Sequence, residues 1–334
     1  MTQKTSDDPI FLVTQTGESC LIQMPALFTV KEAVAFKPQI QSICQASPCP
    51  KKIVLDFGKT SFIDSSGVGA LVSCQKVAQK HQTKLILWSL SSQVEMVLNL
   101  TGLDQIFEVE KATQSVQPSL EKKARPEQVI TTHPSVNSRA KRLIDIAGAL
   151  VGLGITGVLF VPIAIAIKID SPGPIFFSQT RCGWMGKRFR LWKFRSMVSN
   201  AAELKHLVEN QIDGPIFKNE RDPRITKVGQ FLRKTSLDEL PQFWNVLKGE
   251  MSLVGTRPPT QDEVDFYEVP EWQRLDVKPG MTGEWQVYGR SKIKTFEEVI
   301  QLDLRYQKNW SLAHDFKLIL RTVLVLFNKQ SGAV

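Results

Sequence analysis

The sequence predicts an α/β protein in two parts joined by a polar linker and a hydrophobic segment, and three observations carry that prediction. Short apolar runs alternate with helical periodicity through the first third of the chain. From 111 to 138 the periodicity stops, and Gln, Ser, Thr and the prolines 118, 126 and 134 take over. Ile146 to Ile167 then runs for 22 residues without a charge. With 42% hydrophobic and 22% charged residues over 334 positions, wholesale disorder, collagen and a multi-span transporter are excluded.

In chain order, residues 9 to 24 read as two short strands around Thr16-Gly17-Glu18, and 31 to 45 as a helix. Lys52 to Phe57 is an apolar run of buried-strand type, Val68 to Gln79 a helix, Lys84 to Trp88 a strand and Ser92 to Leu100 a helix. The linker, about 28 residues long, has a flexible reach of roughly 30 Å. As a straight helix the uncharged run would be ~33 Å long, enough to cross the hydrocarbon core. A single spanning helix and a buried core helix both remain open, but two features favour a re-entrant one. Pro162 lies inside the run and favours a bend. Basic residues also flank both ends: Arg139, Lys141 and Arg142 before, and Lys168, Arg181, Lys187, Arg188 and Arg190 after. A spanning helix would leave one basic flank on the outer side, against the positive-inside rule.

Charge separates the two parts. Residues 1 to 110 hold 9 basic and 10 acidic side chains, whereas 139 to 334 hold 29 and 21, so the second part expects an anionic partner. Five cysteines, at 20, 44, 49, 74 and 182, form no CxxC pair, which fits a reduced cytosolic setting. The polar, acidic start of the chain does not read as a signal peptide.

Arg181 to Arg195 carries six basic side chains and no acidic one, interleaved with Trp184, Phe189, Trp192 and Phe194, with Gly183 to Gly186 as the turn of a hairpin. Nucleic-acid binding is one reading of such a stretch. Its place just after a hydrophobic anchor favours a membrane-surface hairpin, with rings at headgroup level and cations on lipid phosphate. Downstream, Thr235-Ser236-Leu237-Asp238-Glu239-Leu240-Pro241 opens a helical pattern that ends at Lys248-Gly249. Ser236 and Glu239 fit a capping box, a purely structural role. Pro241 opposes it, because it would then sit beyond the tolerant first turn; a helix starting at Asp238 or Glu239 accommodates it. Either way two carboxylates lie at a helix start, where a phosphate would need a divalent cation or basic side chains beside it. Arg224, Lys227, Arg233, Lys234 and Arg257 are near enough in sequence to serve.

Residues 139 to 334 resemble the bacterial sugar transferase family, the monotopic polyprenyl-phosphate phosphoglycosyl transferases. The match runs through Lys141-Arg142 with Asp145, Asp170-Ser171-Pro172-Gly173-Pro174, Phe176 to Arg181 and Lys193-Phe194-Arg195-Ser196-Met197. It continues through Asp222 to Thr226, Leu232-Arg233, Ser236 to Gln242, Asn245 to Leu247, Met251 to Gly255 with Arg257-Pro258, Pro279-Gly280, Thr282-Gly283 and Gly289-Arg290. Thr256 stands where relatives carry a proline. Residues 9 to 110 resemble a STAS domain, the fold of anti-sigma-factor antagonists, through Val54-Leu55-Asp56-Phe57 and Phe62 to Leu71.

The resemblance implies a STAS domain over 1–110, a linker over 111–138, a re-entrant membrane helix over 139–170 bent at Pro162, and a mixed, helix-rich α/β catalytic domain over 171–334. It implies transfer of a sugar 1-phosphate from a UDP-sugar to undecaprenyl phosphate, with release of UMP, at the cytoplasmic face of the bacterial inner membrane, starting an exopolysaccharide or another lipid-linked glycan. Asp238 would be the nucleophile that forms an aspartyl phosphosugar, and Glu239 the ligand of Mg²⁺. Arg233 and Arg257, with Pro258 in the same turn, would meet the pyrophosphate, and Lys193 and Arg195 phosphate or headgroup. Ser65, expected exposed at a helix N-terminus, would be the phosphorylation site of the STAS domain, unless it or Ser66 merely caps the helix. The expected partners are the UDP-sugar, undecaprenyl phosphate, membrane lipid, a kinase or regulator of the STAS domain and a second copy of the chain; nucleic acid is not expected. The competing expectation is a non-enzymatic membrane-anchored STAS scaffold.

Overall fold

The computed structural model describes residues 11–16, 18–110, 132–211, 215–217, 219, 221–289 and 295–327. It divides into two units. The first takes Met1–Thr132 with Tyr267–Gln273, and the second His133–Phe266 with Arg274–Val334.

In the first unit β1 (Leu12–Thr16), β2 (Ser19–Gln23), β3 (Leu27–Phe28), α1 (Val30–Gln45), β4 (Lys52–Asp56), β5 (Phe62–Ile63), α2 (Ser65–Lys80), β6 (Lys84–Trp88), α3 (Ser92–Thr101) and β7 (Glu108–Glu110) follow in that order. The main sheet runs β1-β2-β4-β6-β7, with β1 and β2 antiparallel and the remaining pairs parallel. Ile22, Ile53, Leu55 and Leu87 fill its inner face, and Phe28, Phe36 and Leu71 close the core. The expected elements lie within three residues of the observed ones, because period-2 and period-3.6 patterning is local information. Asp64, rather than either serine, caps α2: its carboxylate accepts from the Gly67 amide at 2.8 Å. Gly67 admits close contact, since a Cβ there would lie 2.4 Å from the Phe28 carbonyl oxygen.

The second unit contains α4 (Pro134–Asn137), α5 (Arg139–Asp170), β8 (Phe176–Cys182), β9 (Arg188–Phe194), α6 (Lys227–Lys234), α7 (Gln242–Lys248), β10 (Ser252–Val254), α8 (Gln261–Asp265), β11 (Gly280–Thr282), α9 (Glu284–Gly289), α10 (Phe296–Lys308) and α11 (Leu312–Phe327). The linker expected to reach 138 ends sooner. His133 already belongs to the second unit, its ring nitrogens bonded to the Ser135 hydroxyl and, at 3.0 Å, to the Gln307 carbonyl. Most of that linker, 111–131, lies outside the described residues.

The apolar segment is one helix, α5, unbroken through Pro162. Its inner face touches the second unit along its length. Near its start, buried Lys141 donates to Asp315 at 2.6 Å and to the Val254 carbonyl at 3.0 Å. Arg142 donates to the Val246 and Leu247 carbonyls, two of the orphan acceptors at the end of α7. Asp145 accepts from the Ser252 hydroxyl and the Leu253 amide, both at 2.9 Å. Gly152 lies under Phe243, whose ring a Cβ would meet at 2.4 Å. Further on, Ile163 and Ile167 pack with Phe194 and Leu232, and Asp170 accepts from the Val228 amide at 2.8 Å. The opposite face leaves Leu143, Leu150, Val151, Val158, Val161, Ile165 and Ile169 exposed.

Asp315 also accepts from the Tyr306 hydroxyl and the Trp310 indole, so it fixes α5, α10 and α11 together. Removing one member of a buried ion pair strands the other. Asp315→Ala is therefore expected to destabilise the second unit by about 3–5 kcal/mol, measured by denaturant unfolding in detergent micelles, and Lys141→Met with Asp315→Leu by less.

Candidate active site

The β8–β9 hairpin positions the first functional side chain. Phe176 pairs with Phe194 and Cys182 with Arg188, and Met185 and Gly186 close the turn at φ 56° and 81°. Phe160, Phe176 and Phe194 stack at 5.8 and 5.4 Å. Phe189 and Phe194 are buried core rings. The expectation of rings displayed at headgroup level fails for these two, because inward strand positions carry them into the interior. Lys193, half-buried next to Phe194 on β9, reaches the acidic pair.

Asp238 and Glu239 sit on a single 3-10 turn, Leu237–Glu239, between α6 and α7. The expected helix start at Asp238 or Glu239 moves to Gln242, with Pro241 as the N-cap residue. The capping box is not formed. Ser236 takes a left-handed conformation, φ 55°, and no side-chain hydrogen bond caps the turn. That reversal buries Asp238, 5% exposed, while Glu239 stays half-buried.

Two cations face the pair. Lys193 Nζ lies 2.8 Å from Glu239 Oε1 and 3.9 Å from Asp238 Oδ2. Arg233, in the last turn of α6, donates from Nε to the Ser196 hydroxyl at 3.0 Å, and its charge also acts on Asp238. Gly229 makes this seating tight, since a Cβ there would overlap the Ser196 carbonyl. Burial pushes the Asp238 carboxyl up to about 6, opposed by Lys193, reinforced by Glu239 and opposed again by Arg233. A carboxylate held on the edge of ionisation beside two cations can act as a nucleophile or exchange a proton near neutral pH.

Other expected site residues lie elsewhere. Arg195 is buried, donating to the Ser171 and Pro172 carbonyls at 2.6 and 2.5 Å, and so anchors the end of α5 instead of a phosphate. Gly173, at φ 125°, leaves the room that guanidinium occupies. Arg257 forms a bidentate pair with Glu263 at 2.5 and 3.1 Å, and the carbonyl of Pro258 accepts from Arg181 at 2.9 Å. Ser65 is fully buried, contrary to the expected exposure. Pro162 lies within α5. Sequence reading missed Ser196 as the partner of Arg233, Ser236 as the reversing residue and Glu263 as the acceptor of Arg257. The Ser-x-x-Glu spacing at Ser236 even pointed to the wrong role.

The sequence model described as bacterial sugar transferase matches residues 136–329, the stretch that holds the acidic pair and both cations. The chain belongs to the bacterial sugar transferase family. A STAS domain matches residues 11–118. Galactosyl transferase CpsE of Streptococcus agalactiae is 52% identical over 189 residues, covering 56% of this chain and 42% of its own length. The UDP-glucose:undecaprenyl-phosphate glucose-1-phosphate transferase of Escherichia coli is 43% identical over 197 residues, covering 56% and 40%. Exopolysaccharide production protein ExoY of Rhizobium meliloti is 36% identical over 204 residues, covering 59% of this chain and 89% of its own. The chain thus spans about two fifths of the first two relatives and most of the third. In this bacterial sugar transferase many motif residues are scaffold: Gly255 and Gly280 approach so closely that a Cβ on Gly280 would fall 2.0 Å from the Gly255 amide nitrogen.

Because Lys193 opposes the upward shift at Asp238, Lys193→Met is expected to raise that pKa further above about 6. The pH titration of the side-chain carboxyl carbon by ¹³C NMR reads it, and an unmoved midpoint would remove Lys193 from the electrostatics of the pair.

Proposed function

We propose that this chain transfers a sugar 1-phosphate from a UDP-sugar to undecaprenyl phosphate and so starts a lipid-linked glycan. The observation that carries the proposal is the buried Asp238 beside Glu239 with Lys193 and Arg233 facing them. The relatives named for galactosyl and glucose-1-phosphate transfer support a UDP-hexose donor.

Ionised Asp238 attacks the phosphorus that carries the sugar. An Asp238 O–P bond forms, the P–O bond to the UMP group breaks, and UMP leaves with that electron pair. An oxygen of undecaprenyl phosphate then attacks the same phosphorus, and the carboxylate of Asp238 is the leaving group. Lys193 offsets the repulsion between carboxylates and phosphate at each step. Arg233 clamps the diphosphate; Arg257, held in its turn by Glu263, offers its remaining N–H donors to donor phosphate. Glu239 is the ligand we assign to Mg²⁺. Among the described residues no group of three or more His, Cys, Asp or Glu would hold a metal alone. A carboxylate oxygen of Glu239 would hold this hard cation. When bound it supplies charge neutralisation at the diphosphate.

The membrane reading follows from α5. Both its ends are bonded to the same unit, through Lys141 and Asp170, while its outer face is an unbroken apolar stripe. This supports a monotopic helix that enters and leaves one leaflet on the cytoplasmic side. Ser65 would accept phosphate only after exposure, and a kinase or regulator of the STAS domain and a second copy of the chain complete the proposed partners.

Membranes given radiolabelled UDP-galactose or UDP-glucose are expected to yield UMP and lipid-linked sugar, with Asp238→Asn lowering turnover by about 10⁴-fold or more. Undiminished turnover in that variant overturns the nucleophile. Protonation disables Asp238, so kcat/KM for the donor is expected to plateau above pH 7 and to fall about tenfold per pH unit below about 6. For topology, Asn137→Cys and Lys187→Cys are expected to react from the same side of sealed vesicles; opposite sides would mean that α5 spans.

A further inference from the structure

Ser65 heads α2 of the STAS unit, at the place where the resemblance implies a regulatory hydroxyl, yet its side chain is completely covered. The cover is a segment of this chain more than two hundred positions downstream. Residues Tyr267–Gln273 pack in the first unit, and Trp272 lies across α2. The Ser65 hydroxyl donates to the Trp272 carbonyl at 2.6 Å. One turn along the helix, Gly69 makes room for the indole, since a Cβ there would fall 2.3 Å from Trp272 Cγ. Glu268 forms an ion pair with Lys37 of α1 at 2.5 Å. Tyr267 and Trp272 are both buried.

The ends of this strap carry directly into the turn that holds Arg257. On one side lies α8, which bears Glu263, the bidentate acceptor of Arg257. On the other is Arg274, fully buried, whose Nη2 donates to Asp303 at 2.5 Å and to the Arg257 carbonyl at 3.3 Å, and whose own carbonyl accepts from Thr256 at 3.1 Å. The strap is thus tied at both ends to residues that fix Arg257.

We infer that Tyr267–Gln273 is a built-in ligand of the STAS helix α2, that negative charge at Ser65 releases it, and that its release loosens the Arg257 turn and weakens donor binding. The physical cause is local. The Ser65 oxygen has no exposed surface and faces a carbonyl oxygen, so an anionic group there is both desolvated and set against a partial negative charge. Gly69 gives the strap its fit, because any larger residue fills the space of the indole. The donor-binding part of the inference rests on the transferase reading above; the docking part does not.

Amide hydrogen exchange on the full-length chain in lipid nanodiscs tests the docking. In the wild type the 267–273 amides are expected to be protected, and Ser65→Asp and Trp272→Ala each to speed their exchange by tenfold or more. Wild-type amides that exchange as fast as those of Trp272→Ala, or a Ser65→Asp variant no faster than wild type, overturn it. Exchange of the β4 amides at 52–56 controls for unfolding of the STAS unit. If Ser65→Asp deprotects β4 too, Lys37→Glu is read instead: like charge facing Glu268 is expected to speed strap exchange at least threefold, and an unchanged rate overturns the docking. For the coupling, Ser65→Asp is expected to raise KM for the UDP-sugar at least threefold with kcat little changed; a released strap with wild-type KM overturns that part. Absence of turnover with any UDP-sugar in the wild type would sink the transferase reading, while exchange still judges the strap.

Discussion

Asp238 and Glu239 are adjacent carboxylates, and Asp238 is almost wholly removed from water. Repulsion and lost hydration together would keep one of them protonated unless a cation stood close. Lys193 does so, within 2.8 Å of one and 3.9 Å of the other, and Arg233 adds a second charge. Much of the second unit holds these two cations in place. Asn245 ties β9 to α7, accepting from the Trp192 amide and donating to the Arg190 carbonyl. Gly229 seats α6 against Ser196, which orients Arg233. A carboxylate poised near neutrality is the outcome of that scaffold, and it would be lost if β9 shifted by one residue, because Lys193 would then face the other side of the sheet.

The same unit meets a second constraint along α5. A helix with a continuous apolar face must cover it with protein or with lipid. Its inner side is covered by Ala149, Ile163 and Ile167 in contact with the core and by Gly148 and Gly152, which bring Leu253 and Phe243 close. The outer side, from Leu143 to Ile169, is left exposed. Pro162 removes the hydrogen bond to the carbonyl four residues earlier, at Val158, on that outer face. The bonds to the unit at Lys141 and Asp145 on one side of Pro162 and at Asp170 on the other hold the helix in one piece across it.

The STAS elements were legible almost residue by residue because each depends on local alternation and on a cap such as Asp64. The acidic pair was legible as a pair, by motif, and its conformation was not. Ser236 and Glu239 have capping-box spacing, but Pro241 moves the helix start downstream and the chain reverses at Ser236 instead. Basic residues were the least legible. Arg195 and Arg257 look like phosphate ligands on charge alone, whereas carbonyls of Ser171 and Pro172 and the carboxylate of Glu263 engage them, acceptors that only the tertiary fold brings near. The burial of Ser65 was invisible for the same reason: Trp272, its cover, is 207 positions away in sequence. Gly69 was the available signal, a glycine in a helix where only close approach by another group explains the missing side chain.

The basic excess of the second half then divides into two populations. Lys141, Arg195, Arg224 and Arg274 are buried and paired with carboxylates or carbonyls, so they contribute to the net charge of the sequence without presenting it to a partner. Arg139 and Lys168, near the two ends of α5, and Lys187, Arg188 and Arg190, around the hairpin turn, are exposed. An anionic lipid surface would be met by the second population alone, since charge screened inside the protein steers nothing. Net charge therefore overstates the attraction, and the placement of the exposed cations at both ends of one apolar stripe says more. Cations near both ends of a helix whose ends share one unit are compatible with a single leaflet surface, and a spanning helix would have to carry one of them across the bilayer.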